Sequence, residues 1–327
     1  MQLIECIPNF SEGRNKHVIN VIANEIPKVQ GVKLLEIDSN KDANRTVITF
    51  AGVPEKVVEA AFQAIKKASE LIDMRVQTGA HPRIGATDVC PLVPLQGISM
   101  EETVKYAHHL AKKVGEILEI PIYCYENAAF MPERKNLAWL RKGEYEGLEK
   151  RMNNEPNFIP DFGKAVFNSK AGATVIGARE ILIAYNFNLD TKSVEVAKKI
   201  AAEVRESGYW KVENRKKIKV EGKLKHVKAI GWYMENYGFA QVSTNLTNFR
   251  QTTLQTVFET ISEVAKRYNT CVTGSELVGL LPLKALKLQK QSFDLQQSVG
   301  YFGLEQIRPF EAKKKIIEYL LGIEEII

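Results

Sequence analysis

The sequence predicts an α+β protein built from two tandem ferredoxin-like units, each running β-α-β-β-α-β. Three observations carry this. Short apolar runs of strand character alternate with longer segments whose apolar residues recur at helical spacing. The order of those elements occurs twice. The length, 327 residues, suits about two domains.

In the first unit, Leu3–Pro8 reads as a strand. Asn15–Ile26 places Val18, Ile19, Ile22 and Ile26 on one helical face. Val32–Ile37 and Thr46–Phe50 read as strands joined by a turn-rich stretch, 38–44. Pro54, favoured in a first helical turn, opens a helix to about Ile72. Val89–Leu95 is the closing strand. A helix over Glu101–Leu118, a strand over Ile122–Tyr125 and a helix over Asn136–Met152 enlarge this unit.

The second unit repeats the order. Ile181–Phe187 is a strand and Ser193–Val204 a helix. Val227–Met234 and Phe239–Ser243 form a hairpin, Gln251–Arg267 a helix, and a strand follows near Leu277–Pro282. Pro8-Asn9-Phe10 and Tyr185-Asn186-Phe187 echo each other at the ends of the two first strands. Val89–Leu95 and Val278–Leu283 are both apolar runs broken by proline. The chain divides into subdomains 1–188 and 189–327. Each sheet is expected to be covered on one face by helices. The seam between two such units is the expected ligand site, because two walls can converge polar groups there.

Apolar residues make up 45% of the chain and charged residues 26%, the balance of a soluble globular protein. No apolar run approaches a membrane span, and the N-terminus lacks a secretory pattern. A cytoplasmic protein without membrane partners is expected. Cys6, Cys90, Cys124 and Cys271 are scattered, which implies reduced thiols and no zinc site. The net charge is +6, and Lys211–Lys228 alone carries a surplus of that size. Such a segment attracts a polyanion or a polycarboxylate, or is a solvated connection. It lacks the interleaved aromatics of a single-strand nucleic-acid surface, so no nucleic-acid partner is expected.

The densest run of special residues is Gly79–Pro91. His81 sits there in a Gly-Ala-His-Pro turn beside Arg83, with Gly85-Ala86-Thr87-Asp88 behind it. Pro82 keeps His81 out of the helical region, so the turn holds one imidazole in a set pose. An imidazole can take and return a proton near neutral pH. His108 and His109 are neighbours on a helix and diverge by about 100°; with His17 and His226 they read as surface residues. A second small-residue stretch, Ala171–Glu180, could approach a ligand through Gly172 and Gly177, or be a structural loop.

Glu5–Arg14 resembles the opening of the formiminotransferase domain of formiminotransferase–cyclodeaminase, and His81–Pro91 resembles that family's catalytic loop. Gly172–Asn188, Gln241–Leu246 and Glu276–Leu286 are similar to later segments in the same order. The resemblance covers nearly the whole chain and stops short of any cyclodeaminase half, which implies a free-standing form. It implies transfer of the formimino group from N-formimino-L-glutamate to N5 of tetrahydrofolate, giving 5-formiminotetrahydrofolate and L-glutamate in histidine degradation. Tetrahydrofolate is then a co-substrate, and no metal is implied. A homodimer and a separate cyclodeaminase chain are the partners it admits.

On this resemblance His81 is the general base, and Asp38 belongs to the same catalytic group, orienting the imidazole or holding the substrate amine. Gly172, Ala173, Thr174, Val175, Ile176, Gly177, Ala178, Arg179, Glu180 and Ile181 form the folate-binding segment; Glu180 is the position most apt to face away. Arg45, Arg83 and Arg179 are carboxylate clamps or ordinary salt-bridge partners. Asn9 and Ser11 follow the first strand and meet the site or cap the next helix. Two alternatives stay open. One is action on 5-formyltetrahydrofolate at the same site. The other is a ferredoxin-like RNA-binding module, which requires exposed aromatics on a sheet face.

Overall fold

The computed structural model describes residues 1–213, 216–289 and 292–326, in two units, Met1–Arg179 and Glu180–Ile326. Arg215, one of the basic-segment residues, lies outside the described residues.

The first unit begins with β1 (Leu3–Cys6) and β2 (Asn9–Phe10), which lie end to end between two other strands. Pro8 has no N–H to give the ladder, so the strand breaks there. Next come α1 (Lys16–Ala23), β3 (Val32–Asn40), β4 (Arg45–Gly52), α2 (Pro54–Leu71) and β5 (Thr87–Gln96). Together they give the lateral order β3, β4, β1/β2, β5, all antiparallel neighbours. α3 (Met100–Leu118), β6 (Ile122–Glu126), α4 (Leu137–Leu140), α5 (Glu144–Asn154) and β7 (Thr174–Ala178) extend it. β7 runs parallel to both β5 and β6 and lies between them.

Local chemistry explains the helix starts. The Asn15 side chain accepts from the His17 and Val18 amides at the start of α1. Pro54 opens α2. Ser99 and Glu102 form a reciprocal capping box at α3. The apolar stripes of α1, α2 and α3 bury Ile22, Val57, Phe62, Ile65, Leu110 and Val114 with Ile4, Phe50, Leu92 and Ile176 of the sheet.

Three departures from expectation stand out here. The helix expected over Asn136–Met152 is two pieces, because Gly143 adopts φ +81° between α4 and α5. The sheet is covered on both faces: Tyr123, Tyr125 and Val175 pack against Leu140, Leu148 and Phe158 on the side away from α1–α3. Thr174–Ala178, expected as ligand loop, is a wholly buried inner strand.

The second unit contains β8 (Ile183–Leu189), α6 (Val194–Val204), β9 (Tyr209–Glu213), β10 (Lys216–Val220), β11 (Val227–Met234), β12 (Phe239–Leu246), α7 (Leu254–Arg267), β13 (Val272–Val278), α8 (Leu295–Phe302), α9 (Ala312–Lys315) and α10 (Ile317–Leu321). Its four-stranded sheet has the order β11-β12-β8-β13, the same connectivity as the core of the first unit. β8 is bonded on both sides, to β12 and β13, so a boundary at 188 cuts through it. The last strand lies at Val272–Val278, upstream of the expected Leu277–Pro282; Pro282 instead precedes a short 3-10 turn over Leu283–Leu286. β9 and β10 form a separate two-stranded ribbon bearing exposed Lys216, Lys217 and Lys219.

On the helix side of this sheet, Tyr185 and Phe187 pack with Phe258 and Phe302. On the other side its central strands carry Asn186, Asn188, Gln241 and Ser243. Trp232 Nε1 donates to Gln241 Oε1 at 2.9 Å, and Gln241 Nε2 to Asn188 Oδ1 at 2.6 Å. Central polar amides are not the stacking platform that the RNA-binding alternative requires. No helix among the described residues is long and apolar enough to cross a membrane. All four cysteines are free thiols, and Cys271 is the exposed one.

Candidate active site

The site grows from three features of the first unit: the strand break at Pro8, the turn before β4, and the connection from α2 to β5. Asn44, in the turn, adopts φ +47° and acts as a hub. Its Oδ1 accepts from Gly13 N at 2.9 Å, its Nδ2 donates to Thr78 O at 2.8 Å, and its carbonyl accepts from Gln77 Nε2 at 3.1 Å. The turn and the His81 loop are thus tied together by one asparagine.

His81 is half-buried in a narrow crevice that Ser11, Arg45 and Asp88 also line. Its Nδ1 lies 2.7 Å from Pro82 O, and its Nε2 lies 2.6 Å from Arg45 Nη1. A carbonyl only accepts and a guanidinium only donates. Nδ1 therefore carries the proton and Nε2 presents its lone pair. Burial, then the positive charges of Arg45 and Arg141, hold the imidazole down to about 4; Asp88 and the Pro82 carbonyl oppose them. The ring is neutral at physiological pH.

Arg45, at the start of β4, donates Nη2 to Asn9 Oδ1. Its Nε is buried without a partner. Burial and the neighbouring Arg141 bring its guanidinium down to about 10, against the pull of Asp88 and Asp38. Asn9 is itself held by Nδ2 donating to Ile7 O at 2.8 Å. Ser11 Oγ donates to Gly85 O at 2.7 Å, which fastens the chain after β2 to the His81 loop. Neither residue caps α1, whose cap is Asn15.

Asp88 is 2% exposed and pairs with Arg141, the residue that follows α4. Its Oδ1 also accepts from Ile84 N at 3.0 Å, closing the turn behind His81. Sequence separation hid this pair: nothing local marks Arg141 as its partner. Arg83 is likewise absorbed. Its Nε donates to Gln77 Oε1 at 2.7 Å and its Nη2 to Gln77 O at 3.1 Å. Glu144 and Glu146 take the rest, at 2.6–3.0 Å. All five N–H groups of a guanidinium are so engaged.

Asp38 lies within β3 opposite Val47, exposed, and its charge is felt by Arg45. Both His81 nitrogens are engaged by other groups, so the contact that orients the ring comes from Pro82. Gly172 and Ala173 sit directly behind the loop: Gly172 pairs with Gly85, and Ala173 N donates to Ile84 O at 3.0 Å. Gly172 has φ +68°, and a Cβ there would lie 2.2 Å from Ile84 O. Thr174, Val175, Ile176, Gly177 and Ala178 spend their main-chain groups on β5 and β6, so free amides are not what this segment offers. Arg179 follows β7 and acts electrostatically on Glu5 and Tyr125. Glu180 pairs with Arg250 at 3.0 Å, and Ile181 is buried; both belong to the second unit. His108 is not merely solvated, since its Nε2 lies 2.8 Å from Ala128 O and its ring stacks on Phe130.

A family model described as the formiminotransferase domain, N-terminal subdomain, matches residues 3–179, and one described as the formiminotransferase domain matches residues 184–322. The rat formimidoyltransferase-cyclodeaminase is 44% identical over 333 residues, covering 98% of this chain and 60% of that protein. The chain therefore spans less than two thirds of that relative's length. Glutamate formimidoyltransferase of Streptococcus pyogenes serotype M1 is 42% identical, covering 98% of this chain and 99% of the relative. Glutamate formimidoyltransferase of Thermoplasma acidophilum is 43% identical, covering 88% and 90%. With both subdomain models matched in order across nearly the whole sequence, the chain belongs to the formiminotransferase domain family.

Proposed function

We propose that this chain transfers the formimino group of N-formimino-L-glutamate to N5 of tetrahydrofolate, releasing L-glutamate, as a step of histidine degradation and one-carbon metabolism. The observation that carries the reading is His81: a neutral imidazole in a narrow crevice, with its proton on Nδ1 and its Nε2 lone pair facing the Arg45 guanidinium.

In the proposed chemistry the N5 amine attacks the formimidoyl carbon and a tetrahedral centre forms. His81 Nε2 takes the proton that N5 must lose. The resulting imidazolium returns it to the glutamate nitrogen, the C–N bond to glutamate breaks, and the base is restored. One positioned acid–base group performs both transfers, worth about 10²–10⁴-fold in rate. Arg45 binds a carboxylate of formiminoglutamate. Asp38 holds the substrate amine, and Asn9 and Ser11 keep Arg45 and the loop in register. Within the folate segment, Gly172 and Ala173 support the loop from behind and Arg179 supplies the charge. The similarity to the two glutamate formimidoyltransferases supports the same reading. We place the reaction in the cytoplasm, in a protein that forms homodimers and hands its product to a separate cyclodeaminase.

The test is glutamate release from N-formimino-L-glutamate with and without tetrahydrofolate. Release that depends on the folate is expected; none under any condition would sink the reading.

A further inference from the structure

Three buried or half-buried arginines surround the His81 turn, and they differ in one respect. Arg83 is neutralised by Glu144 and Glu146, and Arg141 by Asp88. Arg45 makes no ion pair among the described residues. Its contacts are neutral, an amide oxygen and an imidazole nitrogen, and its Nε has no partner at all. A buried cation without an anion is costly, and a hydrogen bond from a guanidinium to a carboxylate is roughly twice as strong as one between neutral groups. The vacant demand at Arg45 is for a carboxylate. At the same time its Nη1 occupies the lone pair that the proposed base must use.

We propose that Arg45 gates the base: its guanidinium caps His81 Nε2, and a substrate carboxylate uncaps it by drawing the guanidinium to itself. The inference rests on His81 being the base of the proposed reaction. Two effects then follow from one event. The Nε2 lone pair becomes sterically free, and the positive charge facing the ring is neutralised, which makes the ring a stronger base. The other charges facing His81, Arg141 from the segment after α4 and Asp88 from β5, already compensate each other as a pair. Arg45 is the charge left for substrate to switch. Arg45 thus both binds the substrate carboxylate and sets the state of His81, and a substrate lacking the carboxylate loses kcat as well as binding.

The experiment is a pH titration of the His81 ring nitrogens by ¹⁵N NMR on the full chain, alone and with saturating L-glutamate, with neutral glutaramide as control. In the wild type, glutamate is expected to raise the His81 midpoint by about one pH unit or more, and glutaramide to leave it in place. In Arg45→Met the midpoint is expected to be raised by a similar amount without ligand, and glutamate no longer to move it. A wild-type midpoint that glutamate leaves unchanged overturns the gate, and that measurement does not depend on the variant folding. The readout is also separate from turnover. If glutamate shifts His81 but no formimino transfer occurs, the gate stands and the proposed reaction fails. If transfer occurs and His81 does not move, the gate alone fails.

Discussion

The two units share one strand order and differ in what they do with its connections. In the second unit α7 reaches β13 through residues 268–271, a connection of ordinary length. In the first, α2 reaches β5 through residues 72–86, and that longer path carries His81. β8 is continuous where β1 and β2 are broken at Pro8. The turn before β4 holds Asn44 at positive φ with three hydrogen bonds into its surroundings; the turn before β12 holds Gly238 at φ +76°, without a side chain. All three departures of the first unit meet in one place. The first unit thus differs from the second in the connections around His81, while the strand order of the two cores is the same.

The largest expected effect removes the proposed base, His81, which lies on the longer connection of the first unit. His81→Ala should lower turnover by about 10²–10⁴-fold with little change in folate affinity. A folded variant with near-normal turnover would end the assignment of His81.

The next effect probes what supports the long connection. Arg141→Met leaves Asp88, 2% exposed, as an unpaired buried carboxylate. Loss of such a partner costs on the order of 3–5 kcal/mol. Urea denaturation should show that loss for Arg141→Met, partly recovered in Arg141→Met/Asp88→Asn. Equal losses in the two variants would mean the charge of Asp88 is not the cause.

A third test concerns Glu5 of β1, which is 3% exposed. Burial pushes its carboxyl up to about 7, with Arg179 opposing and Glu36 adding to the rise. The folded state therefore holds this proton more tightly than the unfolded chain does. Stability from this group is present below the unfolded value near 4.5 and is lost as pH rises through about 7. Wild type compared with Glu5→Gln should lose about 2 kcal/mol more stability between pH 5 and pH 8. Parallel pH curves for the two proteins would show that Glu5 does not titrate in this way.

The smallest effect belongs to the ribbon of the second unit, for which the first has no equivalent. Exposed charges are screened within about 8 Å at physiological salt. Replacing Lys216, Lys217 and Lys219 with Gln should raise KM for pentaglutamyl folate a few-fold at low salt, and leave the monoglutamate and kcat unchanged. No difference between the two folates would make the ribbon a solvated connection.

The Asn9-Phe10 and Asn186-Phe187 echo shows what sequence could convey. In both units Phe enters the helix-side core and Asn takes the opposite face of the first strand, 5% and 4% exposed. The helical stripes of α2 and α3, the Pro54 helix start, the doubled strand order and the His81 turn were also legible. Each depends on residues within a few positions of one another, where periodicity, capping and proline geometry act. The apolar break at Pro282 misled for the converse reason, since strand register answers to partners on β8.

Partner choice across long separations was settled by the tertiary structure. Thr174–Ala178 reads locally as a small-residue loop, yet pairing with β5 and β6 makes it a strand, because an inner parallel strand needs neighbours on both sides rather than alternation of its own. Arg45, Arg83 and Arg141 look alike in sequence. Only folding gives Glu144 and Glu146 to Arg83 and Asp88 to Arg141, and leaves Arg45 against His81, because the energy of a buried charge depends on which opposite charge the fold brings within reach.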